Sequence, residues 1–520
     1  MKKLSIILLS VLFAAASCSC SSEPSFGEMS KPVNENTGGN DSSGDEDEPS
    51  GGQGGATPQE DDRPKATVWT TTSDLTQDFV KTTVYLGNPS TMSTKVVRFS
   101  SEKFQSVDGF GLAITQASCF NLLKMTKNER TRVLKEMFSR TEGAGSSLIR
   151  VCIGGSDFSM NEFTHCDTKG ISNFKIHSSD VEYLFPILDE IYKINPDVQI
   201  IGSPWTCPKW MKMGVDGNGT HDKWTSGRLN PVYYEDYATY FVKWIQAFEG
   251  RGYKILAVTL QNEPLNHGNS SSLYMPWTDQ RDFLNVVGPA FEAAKIKAKI
   301  LVFDHNYNYD NQQDQQQYPS KIFASTAGKY AAGSAWHNYG GWVGELDGIR
   351  SSNPDKEIYF TEASIGTWNY DGHGFWEQTR EDLENIFFGT LSRYGKGVTL
   401  WNLMLDYNRK PYRQGGCSTC YGALNISPDN YSYSSIKRYS HWYDVAHFSA
   451  AVLPGAERIG TTGYNNGNIV SMAFLNPDGS HGVVLLNKGG SDDNYVYVTE
   501  NRSLNLKIPA KSVVSAIWKD

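Results

Sequence analysis

Long hydrophobic runs are what this 520-residue chain mostly lacks, and after the first twenty residues no stretch is long and apolar enough to span a membrane. Cysteine is also scarce, with eight in all, which excludes a small disulfide scaffold. There is no cationic excess: 48 Lys and Arg face 57 Asp and Glu, a formal charge of −9. Most of that charge is local, since residues 21–65 hold eleven acids against Lys31, Arg63 and Lys65. The rest of the chain is close to neutral and has no basic run, which argues against nucleic acid as a partner. No phosphate loop, nucleotide fingerprint or metal-ligand spacing occurs, so no cofactor and no metal are expected. No internal repeat is apparent. What the chain does have is aromatic side chains (12%) and 39% hydrophobic residues, enough for a sizeable core in two or three domains.

Lys2 and Lys3, an apolar run over 4–16 and small residues after it have the build of a secretory signal. Ala15-Ala16-Ser17-Cys18-Ser19-Cys20 resembles a bacterial lipobox, with Cys18 or Cys20 as the lipidated residue. Residues 1–20 are therefore expected to be a lipoprotein signal peptide and 21–65 an acidic Gly/Ser linker that cannot bury enough apolar surface to order itself. The expected address is export to the outer membrane, at the cell surface or on its periplasmic side, with the lipid anchor as the only membrane contact. Cys417 and Cys420 form a C-x-x-C without a second pair to complete a zinc site. A local disulfide, free thiols and a metal site all stay open there. Cys152 and Cys207 lie in apolar runs and read as core.

From about residue 107, apolar runs alternate with amphipathic stretches. Strands are predicted at 107–114, 147–153, 198–203, 254–260, 299–303, 333–337, 357–361 and 397–401, and helices at 126–140, 180–194, 233–249, 279–296 and 376–394. In the second helix Val181, Leu184, Leu188 and Ile191 share a face, with Ser179 or Asp180 as cap. Eight alternations predict an α/β fold, a (β/α)8 TIM barrel over 106–446, with a doubly wound sheet as the alternative. The tail, 447–520, has short strands at 469–475, 482–487, 495–499 and 513–518 with turn signals between them and reads as an antiparallel β-sandwich, to which 66–105 could add strands.

Barrel chemistry sits where strands end. The fourth strand ends in Gln261-Asn262-Glu263-Pro264 and the seventh in Thr361-Glu362-Ala363. Two acids at two strand ends are what a glycosidase needs, one to protonate the leaving oxygen and one to attack the anomeric carbon. These segments resemble glycoside hydrolase family 30, the family of glucosylceramidase and of bacterial and fungal β-1,6-glucanases. Further carriers are Gly109-Phe110-Gly111, Ile149-Arg150-Val151, Ser156-Asp157-Phe158-Ser159, Ser203-Pro204-Trp205-Thr206, Trp336-His337-Asn338-Tyr339 and Trp401-Asn402-Leu403. The resemblance implies Glu263 as acid/base, Glu362 as nucleophile and Arg150 beside it in a bidentate pair. It also implies Asn262 on the sugar 2-OH, Asp157 and Trp205 on other hydroxyls, Trp401 as the floor, and His337 with Tyr339 lining the pocket near Glu362. Trp277 and Trp368 stand either as platforms for further sugars or as loop packing. Because Glu263 must carry a proton beside an ionised Glu362, its pKa is expected to be raised.

The expected function is that of a retaining endo-β-1,6-glucanase with a polysaccharide or oligosaccharide substrate, β-1,6-glucan. Alternatives in the same family are β-glucosidase or glucosylceramidase, and xylanase or β-xylosidase. The alternative of another class is a non-catalytic surface glycan-binding lipoprotein, which would have no need of two acids at strand ends. Gln261, the polar loop Leu265–Asn269 and the charged run Arg409–Arg413 favour a water-soluble glycan over a lipid.

Overall fold

The structure, a computed structural model, describes residues 63–89, 93–368 and 370–520. The signal segment, Cys18, Cys20 and nearly all of the linker lie outside the described residues. Among the described residues no helix is long and apolar enough to cross a membrane.

Eight parallel strands build the barrel: Gly109–Leu112, Leu148–Cys152, Gln199–Ser203, Lys254–Thr259, Lys299–Asn306, Gly333–His337, Glu357–Glu362 and Gly395–Leu400. Numbered in chain order, they lie side by side as 1-8-7-6-5-4-3-2, and a bridge between Ala113 and Arg150 closes the ring. Such strands are buried on both faces, which is why they read as continuous apolar runs rather than alternating ones. Leu148, Ile201, Ala257, Leu301, Ala335 and Tyr359, one from each of strands 2 to 7, form a hydrophobic cluster of their own and fill the interior. Gly111 explains the Gly-Phe-Gly run: a Cβ there would sit 1.6 Å from the Leu148 carbonyl oxygen, so only glycine lets strands 1 and 2 approach. The end of the barrel away from the chemistry is tied by charge, with Lys299 2.7 Å and Lys396 3.0 Å from Glu357.

The second helix departs from its predicted face. Residues 180–184 form a π-turn before the α-helix Phe185–Ile194. The extra residue in that turn rotates Val181 out to 53% exposure, while Leu184, Leu188 and Ile191 stay buried. Neither predicted cap acts as one, because Ser179 is already helical and makes no capping bond.

The remaining sheet runs, edge to edge, Val80–Tyr85, Lys65–Thr72, Ser512–Trp518, His481–Asn487, Ile469–Leu475, Ala456–Gly463, Val96–Val107, Asp493–Val498 and Ser503–Ile508. It is not wholly antiparallel, since Val96–Val107 pairs in parallel with Asp493–Val498. Strand alternation sorts its two faces. Val483, Leu485, Val514 and Ala516 join the sheet's own core, whereas Val484, Leu486 and Val513 join the barrel core. The helix Ser440–Ala451 lies between them with every residue buried.

His447 on that helix accepts or donates at both nitrogens, 2.9 Å from Ser515 Oγ and 2.8 Å from Thr71 Oγ1. Burial pushes its pKa down to about 3. The unfolded chain takes up this proton below about 6.5 and the folded chain does not. Its contribution is therefore whole above 6.5 and is lost as pH falls towards 3, on the order of 3–5 kcal/mol across the window. His447→Gln should lower the melting temperature at neutral pH but flatten its decline between pH 6.5 and 4. An unchanged slope would contradict this.

Candidate active site

The site is assembled at the C-terminal ends of the strands. Arg150 lies within strand 2, Asp304 on a bulge in strand 5, His337 and Glu362 end strands 6 and 7, and Trp401 follows strand 8. A cavity of about 360 Å³ opens there, lined by Asp157, Glu263, Tyr339, Glu362, Trp368 and Trp401 among others. Glu263 is held at φ +46°, a left-handed conformation that costs a non-glycine residue energy and that over-determined functional sites tolerate. Its amide donates to the Asp304 carbonyl at 3.0 Å, and the Asn262 amide to the Pro204 carbonyl at 2.8 Å.

Arg150 organises one side. It is fully buried and pairs with Glu362, while its second terminal nitrogen donates to Asn262 Oδ1 at 2.7 Å and to Asp304 Oδ2 at 2.9 Å. The expected bidentate pair with Glu362 is thus corrected, because the guanidinium fork is divided between two carboxylates and an amide. Tyr339 Oη donates to Glu362 Oε1 at 3.0 Å, so both Glu362 oxygens are held. Asn262 Oδ1 accepts from Arg150, so only its amide hydrogens are left to make further bonds.

Asp304 was missed by the sequence reading. It has no exposure, and it accepts from Arg150, Thr259 Oγ1 (2.7 Å), Thr361 Oγ1 (2.6 Å) and His337 Nε2 (3.0 Å). Burial opposes its charge, but Arg150 and His337 outweigh that and hold its carboxyl well below the ordinary range. Its only signal was position, as an acid at the end of the fifth strand.

Glu263 Oε2 accepts from Asn266 at 2.9 Å and Asn269 at 3.0 Å, so the polar loop after strand 4 serves the acid directly. Its Oε1 faces His337 Nδ1 at 3.4 Å. Burial pushes Glu263 up, yet the His337 bond, the His305 and His337 rings and Asn266 hold it below its ordinary value. The expectation of a raised Glu263 is overturned for the free site. Burial would lower His337, but Glu362 and Asp304 push it up to about 9. Glu362 is raised by burial, with Glu263 and Asp304 adding to it and His337 and Arg150 only partly offsetting it. Asp157, half-buried, is pushed up to about 7 by burial and by the charges of Glu362 and Glu263. It can therefore donate as well as accept near neutrality.

Three expected ligand contacts, Asn262, Trp205 and His337, are not part of the cavity lining. Trp205 does not line the cavity; its ring stacks on Trp401 at 4.9 Å and lies 5.0 Å from the Arg150 guanidinium. His337 pairs with Glu362 across strands 6 and 7, as expected, but its ring bridges Glu263 and Asp304 and does not line the cavity. Of the two loop tryptophans, Trp368 lines the cavity and is 52% exposed, while Trp277 starts a helix outside it under Arg281 and Lys321. Cys417 and Cys420 form a disulfide in the cavity wall. Arg413 in the same loop holds Glu162 and donates to Ser270 Oγ at 2.7 Å, linking the loops after strands 2, 4 and 8. Gln261 donates to the Trp205 carbonyl at 2.7 Å. These polar residues act first as braces of the cavity wall.

Two carboxylic acids, an arginine and an aromatic floor around one polar cavity can bind a sugar and cleave its glycosidic bond. The model of the glycosyl hydrolase family 30 TIM-barrel domain matches residues 107–452, and that of the family's beta sandwich domain matches 455–516. The chain belongs to glycoside hydrolase family 30. It is an O-glycosyl hydrolase. Among family relatives, Endo-1,6-beta-D-glucanase BGN16.3 of Trichoderma harzianum is 31% identical over 453 residues, 82% of this chain and 87% of that one. The lysosomal acid glucosylceramidase of Mus musculus is 26% identical over 75% of this chain and 76% of its own length. The solved structure of the endo-beta1,6-glucanase BT3312 is 47% identical, with a TM-score of 0.83 over 88% of this chain and 100% of that one.

Proposed function

We propose that the protein is a retaining endo-β-1,6-glucanase. The observation that carries the glycosidase chemistry is the pair Glu263 and Glu362 in one cavity, each with its orientation fixed by buried partners. The linkage rests on the similarity to endo-β-1,6-glucanases along most of the chain.

In the first step Glu362 attacks the anomeric carbon, and Glu263 delivers the proton to the leaving oxygen. His337, held on Asp304, supplies the proton relay to Glu263. Arg150 and Tyr339 keep the Glu362 carboxylate aimed and stabilise its charge. In the second step Glu263 activates the water that releases the sugar. Asn262 Nδ2 donates to the 2-OH, a bond that strengthens as the ring gains positive charge. Asp157 holds another hydroxyl and Trp401 forms the floor beneath the sugar.

The near-neutral body disfavours a polyanionic substrate. The extra rotatable bond of a β-1,6 linkage lets a chain bend into a closed cavity. In a panel of linear glycans, β-1,6-glucan should be cut to short gluco-oligosaccharides, with little action on β-1,3-glucan, cellulose or xylan. Xylan or glucosylceramide as the best substrate would reassign the specificity, and binding without turnover would make the protein a glycan binder. The signal-like start and the acidic linker support export, with Cys18 or Cys20 lipidated and the enzyme tethered at the outer membrane. Fatty-acid labelling that persists when both are changed to serine would refute the anchor.

A further inference from the structure

Beside the acid, two buried histidines aim the same kind of atom at one carboxylate oxygen. His337 Nδ1 lies 3.4 Å and His305 Nδ1 3.9 Å from Glu263 Oε1. Both rings are fully buried, and neither nitrogen of His305 has a hydrogen bond of good geometry among the described residues. The opposite nitrogen of each ring faces a carboxylate: His337 Nε2 lies 3.0 Å from Asp304, and His305 Nε2 lies 2.9 Å from Asp310. A carboxylate on the far nitrogen fixes ring orientation and raises the basicity of the near one, which is how zinc-binding histidines are usually supported.

We propose that Glu263, His305 and His337 form an inhibitory site for a borderline divalent transition metal, Zn²⁺ above all, that occupies the catalytic acid. Bonds of about 2.0–2.1 Å in tetrahedral geometry place ligand atoms about 3.4 Å apart, near the two separations observed here. Two imidazoles and one carboxylate match a known zinc donor set, and the carboxylate among them, Glu263, lines the cavity. The hard cation Mg²⁺ prefers an oxygen shell and should not compete. The three residues come from the ends of strands 4, 5 and 6, so no short spacing in the sequence announces them. A metal bound to Glu263 leaves it no proton to donate. The binding stands on geometry alone, whereas the inhibition rests on Glu263 being the acid.

The test is calorimetric titration of the folded enzyme with ZnCl₂, alongside hydrolysis rates measured with and without EDTA. One zinc should bind per chain and suppress turnover, EDTA should restore it, and MgCl₂ should do neither. His305→Gln should weaken zinc binding at least 10-fold, and the inhibition constant, referred to that variant's own uninhibited rate, should rise in parallel. Asp310→Asn, which leaves all three ligands in place, should weaken binding about 10–100-fold. Zinc-edge X-ray absorption of the wild type should show two imidazoles and oxygen ligands, so the site can be read even if His305→Gln does not fold. Equal zinc affinity in wild type and folded variants, or a shell without imidazole, would overturn the site. Stoichiometric zinc at this cluster with full activity would overturn the inhibition and, separately, the role given to Glu263.

Discussion

Glu362→Ala should lower turnover of every β-glucoside, natural or activated, by about 10⁴-fold or more, because no other group can form the covalent intermediate. The loss should appear in kcat with little change in KM, since Glu362 acts on the transition state more than on the bound sugar. Arg150 keeps Asp304 and Asn262 as partners in the variant, so the buried cation is not stranded and the fold should persist. Folded protein with more than about a hundredth of wild-type activity would rule out Glu362 as the nucleophile.

Glu263→Ala should behave differently with different leaving groups. On β-1,6-glucan, whose leaving oxygen needs a proton, the expected loss is about 10³–10⁴-fold. On a dinitrophenyl glucoside the first step needs no proton, so glycosylation should stay fast and the intermediate should accumulate. Added azide should then restore turnover and yield the β-glucosyl azide, by taking the place of the water that Glu263 activates. Equal losses on both substrates, without azide rescue, would mean that Glu263 is not the acid/base.

The barrel was legible because its strands are buried on both faces and its helices on one, and these produce different apolar spacings. The strand Gly333–His337 and the tail strand Ile469–Leu475 fall where the sequence put them. Ser503–Ile508 went unread, although its buried Leu504, Leu506 and Ile508 alternate with exposed Asn505 and Lys507. Ala456–Gly463 had little apolar content to show, and one of its two neighbours in the sheet lies more than 300 residues earlier in the chain. The parallel pairing of Val96–Val107 with Asp493–Val498 is likewise a property of the assembled sheet.

The candidate site divides along the same line. Glu263 and Glu362 were legible because one closely follows a strand and the other ends one, each within a recognisable run of residues. Asp304 and His305 were not, because an acid and a histidine after an apolar run carry no meaning until the barrel closes. Only then do Arg150, Glu263 and His337 converge on them from three other strands. The direction of the Glu263 shift failed for the same reason: it is set by His337, His305 and Asn266, whose proximity the sequence does not encode locally.

Covalent glycosylation of Glu362 is tested most directly by mass spectrometry after incubation with a 2-deoxy-2-fluoro-β-glucoside bearing a good leaving group, since fluorine at C2 slows both steps and the leaving group speeds the first, so the intermediate accumulates. One hexosyl adduct per chain is expected, carried on the peptide that contains Glu362 and discharged slowly when an acceptor sugar is added. An adduct on any other residue, or none while the natural substrate releases the α-anomer first, would contradict it.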